Sequence, residues 1–188
     1  MRIDHVIYGT SDLDAAQALV ERELGLEVQP GGHHVGQGTG NRIVPLGNAY
    51  LELLTVDDPA EAAASPVGSL LAELIAEGDR LLAYAVSVDD VHATAQRLGT
   101  PIVTVRRGEL EGHLTGVEEA LRTSYLPFFG RSRGRPAEQG DATLDWIEVS
   151  GDGARLRAWL DGAELPIRIT DGPGAVRAIG IAGKTFSG

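Results

Sequence analysis

The side chains in this sequence whose types could do chemistry crowd into its first third. His5 sits inside IDHVIYG, residues 3 to 9, an apolar stretch in which strand alternation puts it on one face with Ile3 and Ile7. An imidazole there can be a metal ligand, a pocket group, or a core histidine with a satisfied hydrogen bond. Glu52 sits inside AYLELLTV on a face with Tyr50 and Leu54, while Leu51 and Leu53 face the other way. A carboxylate among such neighbours has to be exposed, paired or metal-bound, because burying an unpaired charge is costly. Between the two lies GGHHVGQGTGNR, residues 31 to 42, which carries His33, His34, Asn41 and Arg42. It reads as a glycine-rich hairpin loop or a pocket rim, with His34, Asn41 and Arg42 as candidate ligand-binding groups. Further along, GRSRGRP clusters Arg131, Arg133 and Arg135, which suits a solvated loop or an anion site.

Other chemistries have no residues behind them. Gly36, Gly38 and Gly40 mimic a nucleotide fingerprint, but a strand follows them instead of a helix N-terminus, so no nucleotide cofactor is expected. There is no GxSxG elbow, P-loop or HExxH. The absence of cysteine rules out disulfides, thiolate zinc sites and a cysteine nucleophile. A formal net charge of -11 opposes binding to phosphate backbones, so nucleic acid is not an expected partner. No run of eighteen apolar residues crosses a membrane, and no secretory leader opens the chain, so a soluble cytoplasmic protein is expected. His92, on a helix, and His113, in an acidic stretch, read as solvent-facing.

The elements that must position these residues come from an internal similarity. IDHVIYGTSDLDAAQALV, LLAYAVSVDDVHATAQRL and LDWIEVSGDGARLRAWL each run from a strand through an acidic turn into an amphipathic helix. Asp12 or Ser11 is placed to cap the first helix and Gly25 to stop it. Strands at 26–29, 42–46 and 50–56 then complete a β-α-β-β-β module over residues 1–57. Ser65 and Pro66 open a helix within the 58–79 connection. A second, degenerate module spans 80–131, with a cap at Asp89 or Asp90, a stop at Gly99, and strands at 102–105 and 123–129. A third, shorter β-α-β-β unit fills 142–184, with strands at 165–169 and 175–181. The expected class is α+β: tandem modules with curved mixed sheets around a cleft and helices outside, in one compact domain.

DHVIYGTSDLDAA, GGHHVGQGTGNRIVPLG and AYLELL together resemble the glyoxalase-like branch of the vicinal oxygen chelate superfamily, whose members include bleomycin-resistance proteins and extradiol dioxygenases. The second repeat and the PFF at 127–129 extend the likeness. The resemblance implies paired modules around a cleft, with a divalent metal ion held by a first-strand and a fourth-strand ligand from each module. On that pattern His5 and Glu52 are metal ligands, and Glu52 doubles as a catalytic proton acceptor. Three positions depart from it. Gly40 stands where a histidine often precedes the loop asparagine, Ala83 replaces the second module's first-strand ligand, and Arg131 aligns with its fourth-strand ligand. Two donors make a poor metal site, so Arg131 is expected to stand in for the ion by pairing with Glu52 or with an anionic ligand. Two functions follow. One is a metal-dependent lyase, isomerase or dioxygenase acting on a small oxygenated molecule. The other is a non-catalytic protein that sequesters a small molecule. The resemblance also admits a homodimer.

Overall fold

The computed structural model describes residues 1–107, 110–131 and 140–188. Its first module is β1 (Arg2–Gly9), α1 (Leu13–Leu24), β2 (Gln29–His34), β3 (Thr39–Leu46) and β4 (Ala49–Val56). The carboxylate of Asp12 accepts from the backbone N–H groups of Asp14 and Ala15, and Gly25 closes α1 in the left-handed region at φ 72°. Ala16, Val20 and Leu24 form the buried stripe of that helix. Two connecting helices follow, α2 (Pro59–Ala63) and α3 (Pro66–Ala76), each opened by a capping Asp58 or Ser65 and a proline at the first helical position. The second module repeats the plan as β5 (Arg80–Ser87), α4 (Val91–Leu98), β6 (Ile102–Arg107), β7 (Leu110–Thr115) and β8 (Phe128–Gly130), with α5 (Val117–Thr123) inserted before its last strand.

The two modules share one eight-stranded sheet in the order β2-β3-β4-β1-β5-β8-β7-β6. Read from either edge the modules present equivalent strands, so a pseudo-two-fold axis passes between the antiparallel β1 and β5. The sheet curls until its edges approach, where the N–H of Val35 donates to the carbonyl of Arg106 at 3.0 Å. A third unit comprises β9 (Leu144–Ser150), α6 (Gly153–Trp159), β10 (Ile167–Thr170), β11 (Ala175–Ile181) and β12 (Lys184–Phe186), in a separate sheet ordered β10-β9-β11-β12. No helix among the described residues is long and apolar enough to cross a membrane.

Apolar side chains divide into two clusters on the two faces of the large sheet. On the outer face Val6, Tyr8, Leu51, Leu53, Tyr84 and Phe129 pack with α1 and with Ile147, Val149 and Ile179 of the third unit. Tyr84 is fully buried there and donates its hydroxyl to the carbonyl of Tyr125 at 2.9 Å, and burial pushes its phenol well above the usual range. On the inner face Ile7, Leu54, Ala83, Ala85 and Phe128 pack against Leu70 and Leu71 of α3 and Ala120 and Leu121 of α5. Thus α3 and α5 lie inside the curl, not outside with the other helices.

Several sequence expectations shift in detail. A strand expected at 26–29 forms instead at 29–34, so most of the glycine-rich stretch is paired and only residues 35–38 make the turn. Residues 117–123 are helical, and the strand expected from 123 begins at Phe128. A register shift between Ile3 and His5 sends Ile3 to the outer cluster, away from the face of Ile7. Arg133 and Arg135 lie outside the described residues.

Candidate functional site

β1 and β4 run parallel, with His5 opposite Tyr50 and Ile7 opposite Glu52. Strand alternation then places His5, Tyr50 and Glu52 on the inner face. His5 and Glu52 are 8% and 6% exposed. The imidazole Nδ1 meets Asp4 Oδ1 at 2.9 Å, and Nε2 faces Glu52 Oε2 at 3.5 Å. The ring stacks on Tyr50 with centroids 4.5 Å apart and meets Phe128 edge-on at 5.4 Å.

A second line of polar groups arrives from β3 and β2. Asn41 donates its amide nitrogen to Glu52 Oε1. The amide orientation follows from its other end, where Oδ1 accepts from the backbone N–H of Gly32 at 2.9 Å. A backbone N–H can only donate, so the amide nitrogen must face Glu52 and His34. His34 Nε2 lies 3.3 Å from that nitrogen and therefore accepts, which puts its proton on Nδ1, 2.9 Å from Thr39 Oγ1. Glu52 is held from both sides, and Asp4, His5, Glu52, Asn41, His34 and Thr39 form one continuous chain. Hydrocarbon flanks the chain: Ile7, Leu54, Ala83, Ala85 and Phe128. A buried carboxylate approached by imidazole and amide groups beside an apolar wall can accept a proton or anchor a hydrogen-bond donor.

The structure brings His5, His34, Asn41 and Glu52 together. Arg42 does not join them. It projects to the opposite face and spends its guanidinium on α1, reaching Leu13 O at 3.1 Å, Gln17 Oε1 at 2.7 Å and Asp14 Oδ1 at 2.6 Å. Arg131 is exposed just beyond β8, and the ring nitrogens facing Glu52 are those of His5, at 3.5 Å, and His34, at 3.9 Å. The alignment that put Arg131 opposite Glu52 is corrected by register. The caps Asp12 and Asp90 superpose the modules and make Ala83 the counterpart of His5 and Ala85 that of Ile7. Ile7 pairs with Glu52 and Ala85 pairs with Phe128, so Phe128 is the counterpart of Glu52.

Whether a divalent ion fits can be tested on these donors. His5, Glu52 and His34 all come from one module, and the nitrogen of His34 that faces Glu52 already accepts from Asn41. The symmetry-related positions are a methyl group and a phenyl ring. Among the described residues no group of three or more histidine or acidic side chains is arranged to hold an ion. The residues present do not fit the expected metal centre.

Outside this chain, the glycine-rich turn is tied down by a set of contacts that sequence reading missed. His33 Nδ1 meets Asp57 Oδ1 at 2.9 Å and its Nε2 meets Glu61 Oε2 at 2.7 Å, while Glu61 accepts from the N–H groups of Gly36 and Gly38. The hydrogen bond to Asp57 is the main cause that raises the His33 pKa above its ordinary 6.5. A Cβ on Gly38, at φ 65°, would meet the backbone nitrogen of Ala62 at 2.2 Å. His113 is partly exposed beside Glu111 and its ring touches that of His92, which fits the expected solvent-facing role of both. Two open cavities, of about 630 and 520 Å³, lie elsewhere. One is an outer groove by α1 and Arg42; the other is a trough between α3 and α5 lined by Val67, Leu70, Val103 and Val117.

Residues 3–163 match the family described as Glyoxalase-like domain. No curated protein matches the sequence. Among solved structures, a hypothetical protein from Staphylococcus aureus superposes with a TM-score of 0.71 at 15% identity, covering 96% of this chain and 90% of its own. Methylmalonyl-CoA epimerase from Streptomyces coelicolor, solved in complex with 2-nitronate-propionyl-CoA, gives a TM-score of 0.53 at 23% identity and covers 71% of this chain and 99% of its own. A hypothetical protein from Bacillus halodurans C-125 gives 0.55 at 16% identity, over 71% and 96%. The family match across both modules leads to one conclusion: this chain belongs to the glyoxalase-like domain family.

Proposed function

We propose that this chain binds a small organic molecule in the inter-module cleft, with the ligand's polar end on Glu52 and His5 and its hydrocarbon against Ala83, Ala85 and Phe128. The observation that carries this reading is the buried Glu52 carboxylate, held by Asn41 and faced by His5, at the edge of an apolar wall. The chemistry this arrangement supports is proton transfer of the lyase or isomerase kind. Glu52 Oε2 takes a proton from a carbon beside a carbonyl, the electron pair moves to the carbonyl oxygen as an enolate, and the proton returns to carbon. Arg131, exposed just beyond β8, would take an anionic tail of the ligand.

Sequestration without catalysis is the second reading, and Ala83 and Phe128 favour it, since they supply packing and no reactive group. Acyl thioesters and small oxo acids are the first compounds to assay. Solvent-deuterium exchange at the carbon beside their carbonyl is followed by proton NMR, and binding by thermal shift, in wild type and in Glu52→Gln. Exchange that Glu52→Gln abolishes while binding persists supports the enzyme. Binding without exchange supports sequestration. Binding indifferent to both Glu52→Gln and Phe128→Ala removes the cleft from consideration. A cytoplasmic homodimer is part of the same proposal, with sedimentation velocity as the check on assembly.

A further inference from the structure

The pseudo-two-fold axis between β1 and β5 makes the inner face chemically lopsided: His5 and Glu52 on one module correspond to Ala83 and Phe128 on the other. We infer that this asymmetry is what keeps the cleft free of metal. The first module carries a two-donor half-site, and the second carries hydrocarbon at the equivalent positions. The inference deepens the reading of the His5–Glu52 cleft as a ligand site and rests on it.

By the pseudo-two-fold relation, an ion seated between the modules would face His5 and Glu52 on one side and Ala83 and Phe128 on the other. One half-site alone supplies two donors, where a tetrahedral zinc-type centre holds three or four protein ligands. The nearest additional candidate is His34, but its Nε2 lies 3.9 Å from Glu52 Oε1 and accepts from Asn41. Recruiting it means breaking the amide bridge that orients Glu52. On the far side Ala83 is fully buried and Phe128 is 3% exposed with its ring against His5. An ion placed there would trade its water shell for a methyl group and a phenyl ring, which is strongly unfavourable. The position is buried between the modules, and the missing elements are two donor atoms.

The inference therefore makes a constructive claim: Ala83→His with Phe128→Glu restores a divalent-metal centre. The test is titration of the apoprotein with cobalt(II), read by visible d–d absorption and by the histidine ring signals in proton–carbon NMR. Wild type should develop no cobalt bands, and the His5 signal should stay unmoved and unbroadened. The double variant should develop bands that a further His5→Ala removes. Stoichiometric cobalt uptake by wild type with paramagnetic loss of the His5 signal overturns the inference. So does a double variant that is folded by circular dichroism and remains colourless. Because a new buried carboxylate could impair folding, Ala83→His alone, which adds a third donor and no carboxylate, is titrated in parallel and should take up cobalt more tightly than wild type. The titration uses only the metal ion, so its failure leaves the small-molecule reading standing.

Discussion

Truncating Asn41 to alanine leaves Glu52 Oε1 buried without its donor and the N–H of Gly32 without its acceptor. Losing hydrogen bonds to a charged group and stranding buried partners costs about 1–3 kcal/mol each by typical measurements, so Asn41→Ala should lower unfolding stability by at least that order. Denaturant unfolding of wild type and variant is the check; an unchanged midpoint would mean that the amide bridge contributes nothing. Asn41→Asp should be worse, since it replaces a donor with a second carboxylate beside the first. His5 and Glu52 were legible because alternation within IDHVIYG and AYLELLTV fixes which side chains share a face, whereas Asn41 stood out only as a polar group in the glycine-rich stretch. Phe128 was not. Its correspondence with Glu52 depends on the β5–β8 register, and α5 intervenes just before that strand, so a linear alignment slides on to Arg131. Arg42 was misplaced for a simpler reason: once residues 39–46 are a strand, its neighbour Asn41 and it must point to opposite faces.

At the scale of elements, the helices were easier to read than the glycine-rich strand. Asp12 with Gly25, Asp90 with Gly99 and Ser65 with Pro66 bound α1, α4 and the start of α3 through local hydrogen bonds that the chain carries with it. β2 reads QPGGHH, a composition poor in strand formers, and it pairs because it sits at the sheet edge, where proline is tolerated and β3 supplies the ladder. The turn that follows is held by the His33–Asp57–Glu61 contacts, and these set a pH dependence. The His33 pKa is raised in the folded state, so its contribution is fully present below its unfolded value of 6.5 and is lost as pH rises through the folded value. Stability should therefore fall on going from mildly acidic to alkaline pH, and the part due to His33 should vanish in His33→Gln. Thermal unfolding across that range compares the two proteins; parallel curves would show that the histidine does not couple to folding. The group is solvent-exposed, so added salt should shrink the difference.

For the molecule as a whole, the third unit is part of the core and not an appendage to the paired modules. Ile147, Val149, Ile179 and Phe186 share one apolar cluster with Val6, Tyr8 and Tyr84 of the central strands. Backbone and side-chain ties reinforce it: Lys184 donates to the carbonyl of Leu24 at 2.8 Å, Trp159 to Pro127 at 2.7 Å, and Arg97 to the carbonyls of Ala158 and Trp159. The repeat of strand, acidic turn and helix made the unit visible in sequence, but its docking site was not, because apolar residues on both sides of an interface look alike until they are paired. If the outer face of β1 and β5 depends on this cover, the chain should unfold in one cooperative transition, with tryptophan fluorescence, which reports Trp146 and Trp159 of the third unit, coinciding with far-ultraviolet circular dichroism. Ile147→Ala, at a fully buried position, should destabilise the whole protein by about 2–5 kcal/mol and shift both signals together. A fluorescence transition that moves while the circular dichroism transition stays would show two independent units, and would mean that the paired modules keep their cleft without the third unit against their backs.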